Sequence, residues 1–332
     1  MVRVAIIGAG INGLSCALRI KKKYSNFEVV VISDKFSPDT TGDGSGGLWY
    51  PYLVGSTPEQ KIAKWGCETY RFLHQLWLEG GHDVCLMPVY VLSGSQTGPR
   101  PIWADNVFGY KELEEEELKY LSQLYSASYV SGHKLTTFVS TAPSLLSYLQ
   151  KSFVSLNGVM KKSKISSLRD PLLEEYDVII NCTGIGARFL VPDDNVFPIR
   201  GQIVKVNAPW IRETILDDQG NYIIPNAKSC ILGGTHQEND WNTNEDPKDT
   251  EFILNRCRQM IPALEHADII EHWTGLRPGR NEVRLESEVI DGKVYIHNYG
   301  HGGSGLTLFW GCASDVLELL DIYLLGRVQS KL

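Results

Sequence analysis

The sequence predicts an α/β fold in which a parallel-sheet domain is interleaved with a second, largely antiparallel β-sheet domain. Three observations predict it. The chain opens with an apolar strand, a glycine turn, a helix and a second strand that ends in an acid. A series of short β-branched runs separated by turn residues fills positions 198–234, as in an antiparallel sheet. No Pro/Ser-rich linker and no internal repeat divides the 332 residues, so the two sheets share one discontinuous chain.

The opening unit is a Rossmann-type pattern. Residues 2–7 form a short buried strand, and Gly8, Ala9, Gly10, Ile11, Asn12 and Gly13 then spell G-x-G-x-x-G. Gly8 makes the tight turn, Gly10 lets backbone approach a pyrophosphate, and Gly13 lets the helix pack close to the sheet. The helix that follows has Leu14, Ala17, Leu18 and Ile20 on one face and Lys21, Lys22 and Lys23 at its end, where cations suit the helix dipole. Residues 27–32 form the next strand, and Asp34 stands roughly 20 residues beyond the motif, where a carboxylate accepts ribose hydroxyls. This context predicts a dinucleotide but does not separate FAD from NAD.

Further along, residues 40–47 are a glycine-rich loop and residues 59–77 a helix. Residues 111–124 read as an acidic surface helix, 142–154 as an amphipathic helix, and 176–181 as a buried strand returning to the first sheet. Residues 202–206, 222–224 and 230–232 supply the antiparallel strands; 251–260 is helical, 283–290 and 294–298 are strands, and 312–325 is a long final helix. The nucleotide domain is therefore expected over residues 1–50, 140–195 and 290–332, and the second domain over 51–139 and 196–289.

A formal net charge of -7 gives no electrostatic reason to expect a nucleic acid partner. Seven scattered cysteines, with no C-x-x-C pair, suggest neither a disulfide framework nor a metal site. No apolar run reaches the roughly 20 residues of a membrane span. The tripeptide Ser330-Lys331-Leu332 matches the address read by the peroxisomal import receptor, which predicts delivery to the peroxisome matrix. A homodimeric assembly stays open.

Ahead of the last helix lie Gly300, His301, Gly302, Gly303, Ser304, Gly305, Leu306 and Thr307. So many glycines at a helix entrance imply backbone lying against a ligand.

Taken with the opening motif, these segments resemble the D-amino-acid oxidase and D-aspartate oxidase family over nearly the whole chain. The resemblance is carried by Gly8 to Ser15, Ser33-Asp34-Lys35-Phe36 with Pro38, Thr40 and Thr41, and Gly47-Leu48-Trp49 with Pro51-Tyr52. It continues through Asn181-Cys182-Thr183-Gly184, Arg200-Gly201-Gln202, Ala208-Pro209-Trp210 and Tyr222-Ile223-Ile224-Pro225. Leu232-Gly233-Gly234-Thr235, Gly275-Leu276-Arg277-Pro278 and the glycine-rich segment through Trp310-Gly311 complete it. It implies noncovalent FAD at the domain boundary. Gly8, Gly10, Ile11, Asn12 and Gly13 would hold its pyrophosphate; Asp34, Lys35, Thr40 and Thr41 its adenosine side; and Gly47, Leu48 and Trp49 its flavin. Gly302, Gly303, Ser304, Gly305, Leu306 and Thr307 would close around the ring. Gly42 departs from the family, whose mammalian members carry a further threonine there.

For the substrate, the resemblance assigns Arg277 to the α-carboxylate, beside the cofactor, and Tyr222 to a hydrogen bond next to it, with Tyr52, His236 and Ser304 around them. A guanidinium fork suits a carboxylate bidentately. The implied reaction moves a hydride from the substrate Cα to the flavin and leaves an imino acid. Water hydrolyses this to a 2-oxo acid and ammonia, and dioxygen returns as hydrogen peroxide. The arginines that D-aspartate oxidases use for a second carboxylate are replaced by Leu216 or Asp217 and by His236, which points to neutral D-amino acids, with D-aspartate as the alternative. Two rivals stand further off: a nicotinamide-dependent dehydrogenase, and a nucleotide-binding relative without activity.

Overall fold

A computed structural model describes residues 1–329, so the expected import address at Ser330, Lys331 and Leu332 lies outside the described residues. In chain order the elements begin with β1 (Arg3–Ile7), α1 (Ile11–Lys23), β2 (Glu28–Ser33), α2 (Glu59–Glu79), β3 (Val84–Ser93) and β4 (Phe108–Glu112). Next come α3 (Glu115–Leu124), β5 (Ser131–Ser140), α4 (Ala142–Ser155), β6 (Val159–Lys162), β7 (Val178–Asn181) and α5 (Ala187–Leu190). The strand-rich middle holds β8 (Phe197–Asn207), β9 (Thr214–Asp217), β10 (Tyr222–Pro225), β11 (Cys230–Gly233) and β12 (Gln237–Glu238). The chain closes with α6 (Pro247–Met260), β13 (Asp268–Gly279), β14 (Arg284–Ile290), β15 (Lys293–Tyr299) and α7 (Gly305–Gln329).

Six strands form the first sheet, in the order β14-β15-β7-β1-β2-β6, parallel except for the β14–β15 hairpin. Its central strands are buried on both faces, which is why β1, β2 and β7 read as continuous Val/Ile runs rather than alternating ones. Helix α7 packs against both α1 and α2. Buried on several sides, it is apolar around most of its girth: Leu308, Phe309, Cys312, Val316 and Leu320 are all inside. No helix among the described residues is long and apolar enough to cross a membrane.

The second sheet runs β12-β8-β11-β10-β9-β3-β5-β4, with β13 along the other edge of β8. Alternation along β8 sorts the Arg200-Gly201-Gln202 motif between two faces. Arg200, 1% exposed, donates to Asp249 Oδ2 of α6 (2.5 Å), Gln237 Oε1 (2.7 Å), Gln202 Oε1 (2.8 Å) and the carbonyls of Asn242 and Asn244 (both 2.9 Å). Gln202 donates to Asp246 O and Thr250 Oγ1 on the same side. Gly201 faces the other way. Arg200 is therefore a structural bolt between the sheet and α6.

Several expectations are corrected here. The helix expected at 111–124 starts only at Glu115, because Lys111 and Glu112 pair with Lys134 and His133 of β5, and Glu114 caps the helix reciprocally with Glu117. The final helix begins at Gly305 rather than 312, its first turn built from the glycine-rich segment itself. The helix expected from 251 starts at Pro247, with Asp246 accepting from the Lys248 N–H as its cap. Strands β3, β5 and β13 lie where the sequence shows no regular pattern. β14 belongs to the first sheet although the sequence partition puts residues 284–289 in the second domain, and α2, also placed there, packs on α7.

Losing the Arg200 guanidinium breaks all five of these hydrogen bonds and leaves the part-buried Asp249 carboxylate without its cation, at a cost of about 3 kcal/mol. Arg200→Met is expected to lower unfolding free energy by about that much in a denaturant titration; a loss below about 1 kcal/mol would show that the bolt is dispensable.

Candidate active site

A single cavity of about 770 Å³ runs from the carboxyl ends of β1, β2 and β7 to the face of the second sheet. That is where open α/β sheets receive ligands. At its nucleotide end, Gly8 has φ +105°, and a Cβ there would lie 2.5 Å from Cys182 O. A Cβ on Gly13 would stand 1.9 Å from Gly8 O, whereas one on Gly10 would meet nothing within 4 Å. Gly13 thus serves the close helix–strand packing and does not line the cavity, while Gly10 borders open cavity space.

The first N–H groups of α1 and α7 have no intrahelical partner, and Gly10, Ile11, Asn12, Gly302, Gly303, Gly305 and Leu306 bring both helix entrances to the wall. Asp34, Lys35, Thr40, Thr41 and Gly42 line the far end, and Gly47 and Leu48 the stretch towards the second sheet. Thr40 spends its hydroxyl on Asp43 Oδ2 (2.6 Å) and Thr41 donates to Leu276 O (3.3 Å). A Cβ at Gly42 would make only ordinary contacts at 3.5 and 3.6 Å, so space does not enforce the glycine there.

A buried polar pair stands behind the glycine turn. His301 is 1% exposed, and burial pushes its imidazole down to about 4. Its Nδ1 is 3.2 Å from Asn12 Nδ2, while His301 Nε2 and Asn12 Oδ1 have no hydrogen-bond partner among the described residues. Both residues line the cavity beside the glycine turn. Backbone left bare at Gly10, where a Cβ would meet nothing within 4 Å, and the free N–H groups of two helix entrances on one wall suit the anionic pyrophosphate of a dinucleotide, so the residues present fit FAD.

At the other end the sheet is stripped of side chains. A Cβ on Gly201 would lie 2.2 Å from Arg277 Nη1, and one on Gly233 2.1 Å from the Tyr222 ring. Arg277 from β13 and Tyr222 from β10 therefore lie flat over bare backbone and meet there. Arg277 Nη1 donates to Thr235 O (2.9 Å) and, at 3.5 Å, to Arg200 O, and no carboxylate among the described residues pairs with this guanidinium. Burial pushes the Tyr222 phenol up and the Arg277 charge beside it pulls part of the way back; Tyr52 is raised by burial and opposed by Arg277 in the same way. At neutral pH both phenols keep their proton.

Four other expected site residues are placed differently. The Trp49 ring is buried away from the cavity, its Nε1 donating to Gly66 O (3.0 Å) and its face set edge-on to Tyr70 and Trp103. Ser304 Oγ accepts from Tyr52 N and donates to Tyr52 O (2.8 Å), and Thr307 Oγ1 donates to Tyr50 O (3.0 Å). These hydroxyls pin the 50–52 segment rather than reach the cavity, because that segment crosses the helix entrance with no strand to pair its backbone. His236 is exposed beside Gly220, outside the cavity lining. Sequence reasoning missed Tyr50, Val91, Ile203 and Trp273, which do line it; their signal is strand register, which a single segment does not reveal.

Among known proteins, the chain matches the FAD-dependent oxidoreductase family over residues 3–319. It is 37% identical to a D-amino acid oxidase of Dugesia ryukyuensis, covering 98% of this chain and 99% of that one. It is 36% identical to a D-aspartate oxidase of Homo sapiens, covering 96% and 94%. In fold it is similar to glycine oxidase from Geobacillus kaustophilus, with a TM-score of 0.80, 17% identity and 97% and 95% of the two chains covered. A L-alpha-glycerophosphate oxidase of Mycoplasma pneumoniae solved with FAD bound shares the fold at a TM-score of 0.74, 15% identity and 97% and 95% coverage. With glycine turn, two helix entrances and the Arg277 guanidinium converging on one cavity, the chain belongs to the FAD-dependent oxidoreductases of the D-amino-acid and D-aspartate oxidase family.

Proposed function

We propose that this enzyme oxidatively deaminates D-amino acids with neutral side chains, giving 2-oxo acids, ammonia and hydrogen peroxide. The observation that carries the proposal is the Arg277 guanidinium, held inside the cofactor cavity without a carboxylate partner among the described residues. A planar cation in that state needs a planar anion, and an α-carboxylate supplies one bidentately. Tyr222 and Tyr52 donate from its flanks, so the carboxylate is fixed at one end and the Cα–H is aimed along the cavity. When bound, FAD would supply the two-electron oxidation at Cα and the reduction of dioxygen. The protein's share is orientation and exclusion of water: an amine that enters neutral leaves no proton for a side chain to remove.

The neutral preference follows from charge. Among the described residues, the cations lining the cavity are Lys35 and Lys164 near the Asp34 end and Arg277 at the sheet. A second carboxylate near the sheet would be buried without a partner, which is costly. Names of relatives support both branches, and this charge distribution favours the neutral one. Peroxide as a product would suit the peroxisomal delivery expected from Ser330, Lys331 and Leu332, since peroxisomes contain catalase.

Oxidation of D-alanine, with peroxide release, is expected to exceed that of D-aspartate and D-glutamate, while L-alanine gives none; equal or greater release from D-aspartate would transfer the assignment to the acidic branch. Arg277→Ala removes a charge-assisted contact of about 3 kcal/mol, so KM for D-alanine rises roughly 100-fold while FAD stays bound. An unchanged KM would reject Arg277 as the anchor. Gly201→Ala puts a methyl where the guanidinium lies and is expected to raise the same KM about tenfold with little loss of thermal stability; wild-type kinetics in this variant would show that the bare floor does not set the anchor.

A further inference from the structure

Strand register across the second sheet brings together residues far apart in sequence. His133 of β5 is paired with Val91 of β3, Val91 with Leu216 of β9, Leu216 with Tyr222 of β10, Tyr222 with Gly233 of β11, and Gly233 with Ile203 of β8. Residues in one register row share one face of the sheet. The row therefore has Tyr222, beside the carboxylate anchor, separated from His133 by two apolar positions, Val91 and Leu216. At ~4.8 Å per strand, the two polar ends stand roughly 14 Å apart along the sheet.

The far end is closed by Tyr50, which also lines the cavity. Its hydroxyl is 3.1 Å from His133 Nε2, its ring is edge-on to Trp103 (centroids 5.3 Å apart), and its backbone N and O both bond Thr307 Oγ1. His133 is itself backed by the stacked ring of Tyr110, with centroids 4.9 Å apart. Burial pushes His133 down to about 4 and raises the Tyr50 phenol, so the pair carries no charge at neutral pH. A tyrosine tied at its backbone, its ring and its hydroxyl has little freedom to swing aside.

We propose that Tyr50, buttressed by His133, is the wall that limits how far a substrate side chain extends across Val91 and Leu216, and so restricts the enzyme to compact apolar D-amino acids. Tyr50 contacts the side chain and sets specificity; His133 is a positioning residue acting through it. The inference rests on the D-amino-acid oxidation proposed above, with Arg277 and Tyr222 holding the other end.

The test compares kcat/KM for D-phenylalanine and D-alanine in FAD-loaded protein. The wild type is expected to favour D-alanine. Tyr50→Ala is expected to raise the D-phenylalanine to D-alanine ratio at least tenfold, and Tyr50→Phe, which keeps the ring but loses the His133 bond, to raise it severalfold through KM for D-phenylalanine rather than kcat. Tyr50→Phe preserves packing, so the comparison stands even where Tyr50→Ala does not fold. A wild type that favours D-phenylalanine, or a ratio unmoved in the variants, overturns the wall while leaving D-amino-acid oxidation intact. A wild type that oxidises neither substrate overturns both.

Discussion

Everything at the substrate end of this molecule depends on a guanidinium laid over bare backbone. Arg277 lies flat across Gly201, and the Tyr222 ring flat across Gly233, because neither glycine has a Cβ to lift them. The two side chains come from different strands and meet only because both strands flank the same stripped patch. A fork in that position, with Thr235 O taking one donor and no carboxylate among the described residues taking the others, keeps its charge directed at the cavity.

The cofactor end obeys a complementary rule. Arg277 offers charge on a side chain, whereas the glycine turn and the α7 entrance offer backbone N–H groups and helix dipoles. Neither requires a titratable group to change state at neutral pH: His301 and His133 are held neutral by burial, and the phenols of Tyr222, Tyr52 and Tyr50 are raised. The cavity is thus electrostatically fixed around Arg277, the one cation among the described residues that lines it at the sheet. Ser304 and Thr307, occupied with the Tyr52 and Tyr50 backbone, hold the connecting segment still between the two ends.

Legibility in the sequence followed the range of the interactions. The opening strand–turn–helix–strand unit was readable because each requirement is local: Gly8 needs its positive φ and Gly13 its contact with Gly8, within one short stretch. Arg277 and Tyr222 were readable only through the resemblance of the short motifs around them. β13, which carries Arg277, escaped periodicity because its first half is exposed and its second half crosses the cavity, leaving no clean alternation. Trp49 was misread because a motif marks the backbone path and not the ring's direction, and here the ring turns into the core. Tyr50, Val91 and His133 were invisible because their proximity is created by strand pairing between segments far apart in the chain.

The central claim is that FAD and a D-amino acid anchored on Arg277 share one cavity in reacting order. Its most direct test is absorbance of the FAD-loaded protein mixed with D-alanine without oxygen. The account predicts rapid loss of the flavin's visible band with D-alanine and none with L-alanine. A band that persists in protein carrying its full complement of FAD would contradict it.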